Sequence, residues 1–129
     1  MSILAGLEQV EPDRNARRDL WRLLGQDTVS RIGATAGVAA YHDPVDTGPS
    51  ATAPELGAAH EFPEIYFVLD GTGQVHTPDG ARTVSVGDAF VVLGGVPHTI
   101  VGAGAPLRTF YVSLKTGVPT PPESDGGAA

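Results

Sequence analysis

Cysteine is absent from the chain, and lysine occurs once, at Lys115. The first absence excludes a disulfide framework and thiolate-bound metal, so any ion held here is held by histidine and carboxylate. Positive charge is also scarce. Eight basic residues face fifteen acidic ones, and a formal net charge of −7 argues against nucleic acid as a partner, because phosphate binding needs a basic face. No apolar run approaches the roughly 20 residues needed to span a bilayer. The amino terminus also lacks the basic-then-apolar pattern of a signal peptide. These absences lead to the expectation of a cytoplasmic protein with no membrane partner. What the chain has in quantity is glycine (17) and proline (11), a composition that suits many short strands joined by turns. Its 129 residues are enough for one domain with its own core.

Along the chain, Asp13 to Leu24 reads as an amphipathic helix. Pro12 and Asp13 make its start, Ala16, Leu20, Leu23 and Leu24 its apolar face, and Gly25 its stop. The arginines Arg14, Arg17, Arg18, Arg22 and Arg31 then read as a solvated face, with Asp13, Asp19 and Asp27 as interleaved counter-charges and a phosphate-binding patch as the alternative. Residues 1–27 are accordingly expected to be an N-terminal segment carrying that helix. Strands are expected at Val29–Ile32 and Thr35–Tyr41, followed by a surface loop from His42 to Gly57. Further strands follow at Ile65–Leu69, Gln74–Thr77, Arg82–Val86, Ala89–Leu93, His98–Val101 and Leu107–Leu114, with turns at Pro78-Asp79-Gly80 and Gly87-Asp88. Residues 28–116 therefore read as an all-β barrel or sandwich. Residues 117–129 read as a disordered tail with too little apolar surface to offset its ordering entropy.

Three side chains carry the chemistry: His60, Glu64 and His98. Two imidazoles and one carboxylate on separate strands form a three-ligand site that suits Zn, Mn or Fe(II) better than Mg or Ca. On a straight strand, residues four apart lie about 13 Å apart, so convergence of His60 and Glu64 needs a bend, which Pro63 is placed to supply. If Glu64 points inward, Tyr66 does too. It then either hydrogen-bonds a substrate oxygen or serves as a core aromatic. Phe67, Phe90, Phe110 and Tyr111 read as packing residues, His42 as a surface residue, with an oriented acid/base pair with Asp43 as the alternative, and Glu61 as exposed.

The run Glu64-Ile65-Tyr66-Phe67-Val68-Leu69-Asp70-Gly71-Thr72-Gly73 resembles the first motif of the cupin superfamily, with His60 as the second histidine of its His-x-His pair and Gly71 as its glycine. Gly87-Asp88, Gly95, Pro97 and His98 resemble the second motif. The resemblance covers roughly residues 30 to 114. It implies a double-stranded β-helix (jelly-roll) with one short N-terminal helix outside it, and a metal bound by three histidines and a glutamate. Three of those four ligands are present, since the first histidine is Ala58. The second motif's proline is Leu93, and the asparagine near its end is Gly102. His42, Glu55, Glu61 and His76 are candidates to replace the missing ligand, with His76 favoured and also expected to move protons beside Tyr66.

The implied function is that of a small metal-dependent enzyme acting on an oxygen-rich small molecule by isomerisation, cyclisation or dehydration, as in secondary-metabolite pathways. An Fe(II)-dependent dioxygenase and a non-catalytic small-molecule-binding module are the alternatives. A homodimer is expected, through the first helix and the early strands.

Overall fold

The computed structural model describes residues 6–44, 56–57 and 59–115. Among the described residues a short 3₁₀ turn, Leu7–Gln9, precedes nine strands and one helix: β1 (Asp13–Arg14), β2 (Arg18–Leu24), α1 (Gln26–Ile32), β3 (Ala34–Tyr41), β4 (Glu64–Asp70), β5 (Thr72–Thr77), β6 (Gly80–Ser85), β7 (Ala89–Val92), β8 (Thr99–Gly102) and β9 (Leu107–Leu114). They form a six-stranded sheet in the order β1-β2-β3-β9-β4-β7 and a three-stranded sheet in the order β6-β5-β8. The pairings are antiparallel throughout. This is a jelly-roll, the architecture that the resemblance of the two motifs implies. Leu20, Tyr41, Tyr66, Val68, Leu107 and Tyr111 from the large sheet pack against Val75, Val84 and Ile100 from the small one. No helix among the described residues is long and apolar enough to cross a membrane.

The strands from Ala34 onward lie where their alternation and turn residues put them. The region before them differs from expectation. Asp13 to Leu24 is not a helix but a hairpin followed by a long strand. Asn15 causes the reversal: its Oδ1 accepts from the Arg17 and Arg18 amides at 2.8 and 2.9 Å, an Asx turn that folds the chain back. The segment then pairs along β3, whose alanines and glycine allow close approach, with Arg18 opposite Tyr41, Leu20 opposite Ala39 and Arg22 opposite Gly37. Leucines at 20 and 24 satisfy a period of 2 as well as one of 3.6, and the sheet decided between them.

The helix lies one step later, where a strand was expected. Gly25 and Gly33 bracket its seven residues, and Gly33, at φ 71°, takes the left-handed conformation that stops it, donating to the Val29 carbonyl at 2.9 Å. Thr28 Oγ1 donates to the carbonyls of Gly25 and Ala34, fastening the short helix to the strand that follows. The β-branched residues that suggested a strand are thus accommodated in a helix too short to depend on propensity. The apolar helix face proposed for dimer contact therefore does not exist. The expected loop falls mostly, and the tail entirely, outside the described residues, as do Glu55 and Ala58.

Candidate metal centre

Strand register builds the site. Across the large sheet's inner face, Glu64 lies opposite Ser113, and Tyr66 lies opposite Tyr111. Glu64 and Tyr66, two apart on β4, share that face, and Tyr66 is only 3 % exposed. Gly37 lies opposite both Arg22 and Tyr111. A methyl there would collide with the Trp21 carbonyl and the Tyr111 ring, so its lack of a side chain leaves room for the tyrosine.

His60 reaches Glu64 because the chain bends at residues 61–62 before Pro63, which is buried and accepts from the Leu114 amide at 3.1 Å. The bend expected at this proline is present. The His60 carbonyl accepts from the Gly95 amide at 2.7 Å, tying the bend to the loop that delivers His98. His60 Nε2 lies 3.1 Å from Glu64 Oε1, and His98 Nε2 lies 4.0 Å from the same oxygen. One ligand atom from each of the three residues lies within 4.8 Å of the others. The sequence-identified triad converges.

Two of the three donors, His98 and Glu64, are also oriented. The His98 ring is 8 % exposed, and its Nδ1 lies 3.0 Å from the Val96 carbonyl, which fixes the proton on Nδ1 and leaves the Nε2 lone pair for a ligand. Glu64 Oε2 accepts from Ser113 Oγ, while Oε1 accepts from the Tyr66 hydroxyl at 2.9 Å. His60, 54 % exposed, sits at the mouth. Two imidazole nitrogens and a carboxylate oxygen, with His98 and Glu64 steadied from behind, match the donor set of Zn, Mn or Fe(II). The residues fit a metal.

Tyr66 stacks on Phe90, with centroids 4.7 Å apart and planes 12° from parallel. Burial, then the neighbouring Tyr41 phenol and the Glu64 carboxylate, push the Tyr66 phenol far above the usual tyrosine range. It therefore stays protonated and acts as a hydrogen-bond donor, not as a base. Burial likewise raises Tyr41, against the opposing pull of the Arg18 guanidinium beside it, and raises Tyr111.

His76 does not join the site. On β5 it alternates with the buried Gly73 and Val75, so its side chain lies on the opposite face from theirs. His42 Nε2 lies 3.2 Å from Asp19, and Asp43 accepts from the Gly104 amide. Glu61 is exposed, as expected. None of these three belongs to the group of ligand atoms around Glu64.

Beside His60 and Glu64 lies a cavity of about 290 Å³ bordered by Arg18, Arg22, Tyr41, Tyr111, Ser113 and Lys115. A second, of about 260 Å³, shares Arg18, Tyr41, His60 and Tyr66 with it and reaches His98. A larger apolar cavity of about 580 Å³, lined by Val75, Val84, Phe90 and Val92, contains none of the three ligands. The helical reading of residues 13–24 hid Arg18 and Arg22. Read at period 2, Arg18, Leu20, Arg22 and Leu24 share one face. Ser113 was legible by the same alternation in β9.

The chain belongs to the cupin family: the family model described as "Cupin domain" matches residues 45–113. No curated protein matches it in sequence. Solved structures share its fold at low identity. One is a predicted oxalate decarboxylase from Thermotoga maritima (17 % identity, TM-score 0.68, covering 88 % of this chain and 100 % of that one). Another is HppE in its Fe(II) form (15 %, TM-score 0.70, 88 % and 60 %). A third is ectoine synthase from P. lautus (14 %, TM-score 0.63, 98 % and 85 %).

Proposed function

We propose that the protein is a small metal-dependent cupin enzyme that isomerises, cyclises or dehydrates an oxygen-rich small molecule, in the manner of secondary-metabolite enzymes. The observation that carries this reading is the convergence of His60, Glu64 and His98 on one point beside a polar cavity. Bound there, a divalent transition metal supplies a Lewis acid for a carbonyl or enol oxygen. The remaining roles belong to the chain. Ser113 and Tyr66 hold the Glu64 carboxylate in one orientation. The Tyr66 hydroxyl adjoins the cavity with its single proton committed to Glu64 Oε1, so it acts on the substrate through the carboxylate it positions. The cavity lies near the lower bound of about 300 Å³ for small-molecule sites, which favours a compact substrate.

Oxidative chemistry with Fe(II) is the second reading, favoured by the two-histidine, one-carboxylate donor set and by the likeness to a fold relative solved with Fe(II). Growth in medium supplemented with each metal, followed by elemental analysis, separates the two. Zinc-dependent turnover supports proton chemistry, whereas turnover with iron and dioxygen alone supports oxidation. His98→Ala abolishes both metal content and turnover. Activity that survives this substitution contradicts the proposal, and a metal-free protein that still binds small molecules points to a binding module.

A homodimer is part of the same proposal, through a different surface from the one first expected. Ile65, Phe67, Leu69, Val91, Leu93 and Phe110 are large apolar residues left exposed. Ile65 lies opposite Val91, and Phe67 lies opposite Phe110. A contiguous apolar face of this kind is uncommon on monomers, and an uncharged patch can pair with its own copy across a two-fold axis.

A further inference from the structure

The cavity beside the three ligands does not share the charge of the chain. The protein carries −7 overall and only eight basic residues. Three of those eight, Arg18, Arg22 and Lys115, line this one space, where Glu64 is the only carboxylate among the described residues. Arg22 is paired with Asp13. Glu64 is occupied by Ser113, Tyr66 and His60. Neither Arg18 nor Lys115 has a carboxylate partner among the described residues. Arg18 also borders the second cavity, together with Arg17 and His98.

Arg18 is half-buried on the inner face of β2, beside the Tyr41 phenol that lies opposite it in the sheet. A guanidinium has five N–H donors, and one phenol oxygen leaves most of them for another partner. Partial burial without a counter-ion carries a desolvation cost that a bound anion offsets. The planar fork matches a carboxylate or a phosphonate through two parallel hydrogen bonds.

We infer that the substrate is a small oxyanion, a carboxylate or phosphonate, whose charged group is held by Arg18 with Lys115 and Arg22 beside it, while another of its oxygens faces His60, Glu64 and His98. This deepens the proposed function and rests on that group being the reaction centre. Arg18 then determines specificity, because a neutral analogue leaves its donors unpaired.

Calorimetric titration tests this, with metal-stripped and Zn-loaded protein, using glycolate, methylphosphonate and the neutral glycolamide as probes. The expected result is that at least one anion binds the stripped wild type about tenfold or more tightly than glycolamide does. Arg18→Gln removes that preference, and Lys115→Gln, at the exposed end of β9, reduces it a few-fold. Preference for glycolate over methylphosphonate identifies the group as a carboxylate, and the reverse identifies a phosphonate. Equal binding of anions and glycolamide by the wild type overturns the inference even if no variant folds. So does undiminished anion binding by a folded Arg18→Gln protein. The two readings fail separately. Stoichiometric zinc with no anion preference removes only the anion site, and an Arg18-dependent preference in a protein that takes up no metal removes only the metal centre.

Discussion

Substituting Ser113 by alanine isolates what the backing of a metal ligand contributes. The Ser113 hydroxyl donates to Glu64 Oε2 from directly across the β4–β9 ladder, and the residue is 4 % exposed. Alanine fits β9 without new contacts, so the loss is confined to one hydrogen bond to an ionised group, about 1.5–3 kcal/mol. The Glu64 side chain is only 14 % exposed, so water replaces that bond poorly. Tyr66 still holds Oε1, and the carboxylate can rotate about that remaining contact. Removing an outer partner of a metal ligand typically weakens metal binding 10- to 100-fold, or about 1.4–2.7 kcal/mol, and the two ranges agree. Competition against a chromophoric chelator reads the metal affinity, and a thermal melt of the metal-free protein reads the fold. The expected outcome is metal affinity lower by about 10- to 100-fold in a variant that folds. A melting temperature that falls while metal affinity stays within about threefold of wild type would show that Ser113 supports the sheet and not the ligand.

Tyr66→Phe keeps the stack on Phe90 and removes the hydroxyl. Like Ser113→Ala, it should lower metal affinity by about 10- to 100-fold in a folded variant, read by chelator competition, and unchanged affinity refutes the positioning role. Burial raises the phenols of Tyr41, Tyr66 and Tyr111. Below about pH 10 both folded and unfolded chains keep these protons. Above it the unfolded chain loses them first, so stability is constant up to about pH 10 and then falls by about 1.4 kcal/mol per pH unit for each tyrosine still protonated. Melts between about pH 8 and 11 that show no such break contradict the burial of these groups. Gly37→Ala drives a methyl into the Trp21 carbonyl and the Tyr111 ring, and should cost about 1–3 kcal/mol in denaturant midpoint. Sedimentation should give twice the chain mass for wild type and one chain mass for Phe67→Asp, and a wild-type mass of one chain removes the proposed dimer face.

From Ala34 onward the sequence shows the barrel clearly, because alternation and glycine turns agree with the sheet that forms. Leu107–Leu114 was legible to the residue. The triad was legible too, once Pro63 was seen as a bend. The segment 13–24 was not, because its leucines satisfy both periods and the deciding contacts, with β3, lie far along the chain. That one ambiguity also concealed the cationic wall of the cavity, since a helix would have turned Arg18 and Arg22 to solvent. His76 failed for a related reason. A strand's parity depends on which neighbour is buried, and Val75 rather than His76 took the inner face. The backing of the ligands by Ser113 and the Val96 carbonyl arises from register and loop geometry.

X-ray absorption at the metal edge tests the central claim most directly. With Zn-loaded wild-type protein the account predicts two imidazole scatterers and one carboxylate oxygen at about 2.0–2.2 Å, and no bound zinc after His98→Ala. A first shell of water oxygens alone, or one unchanged by His98→Ala, would contradict the account.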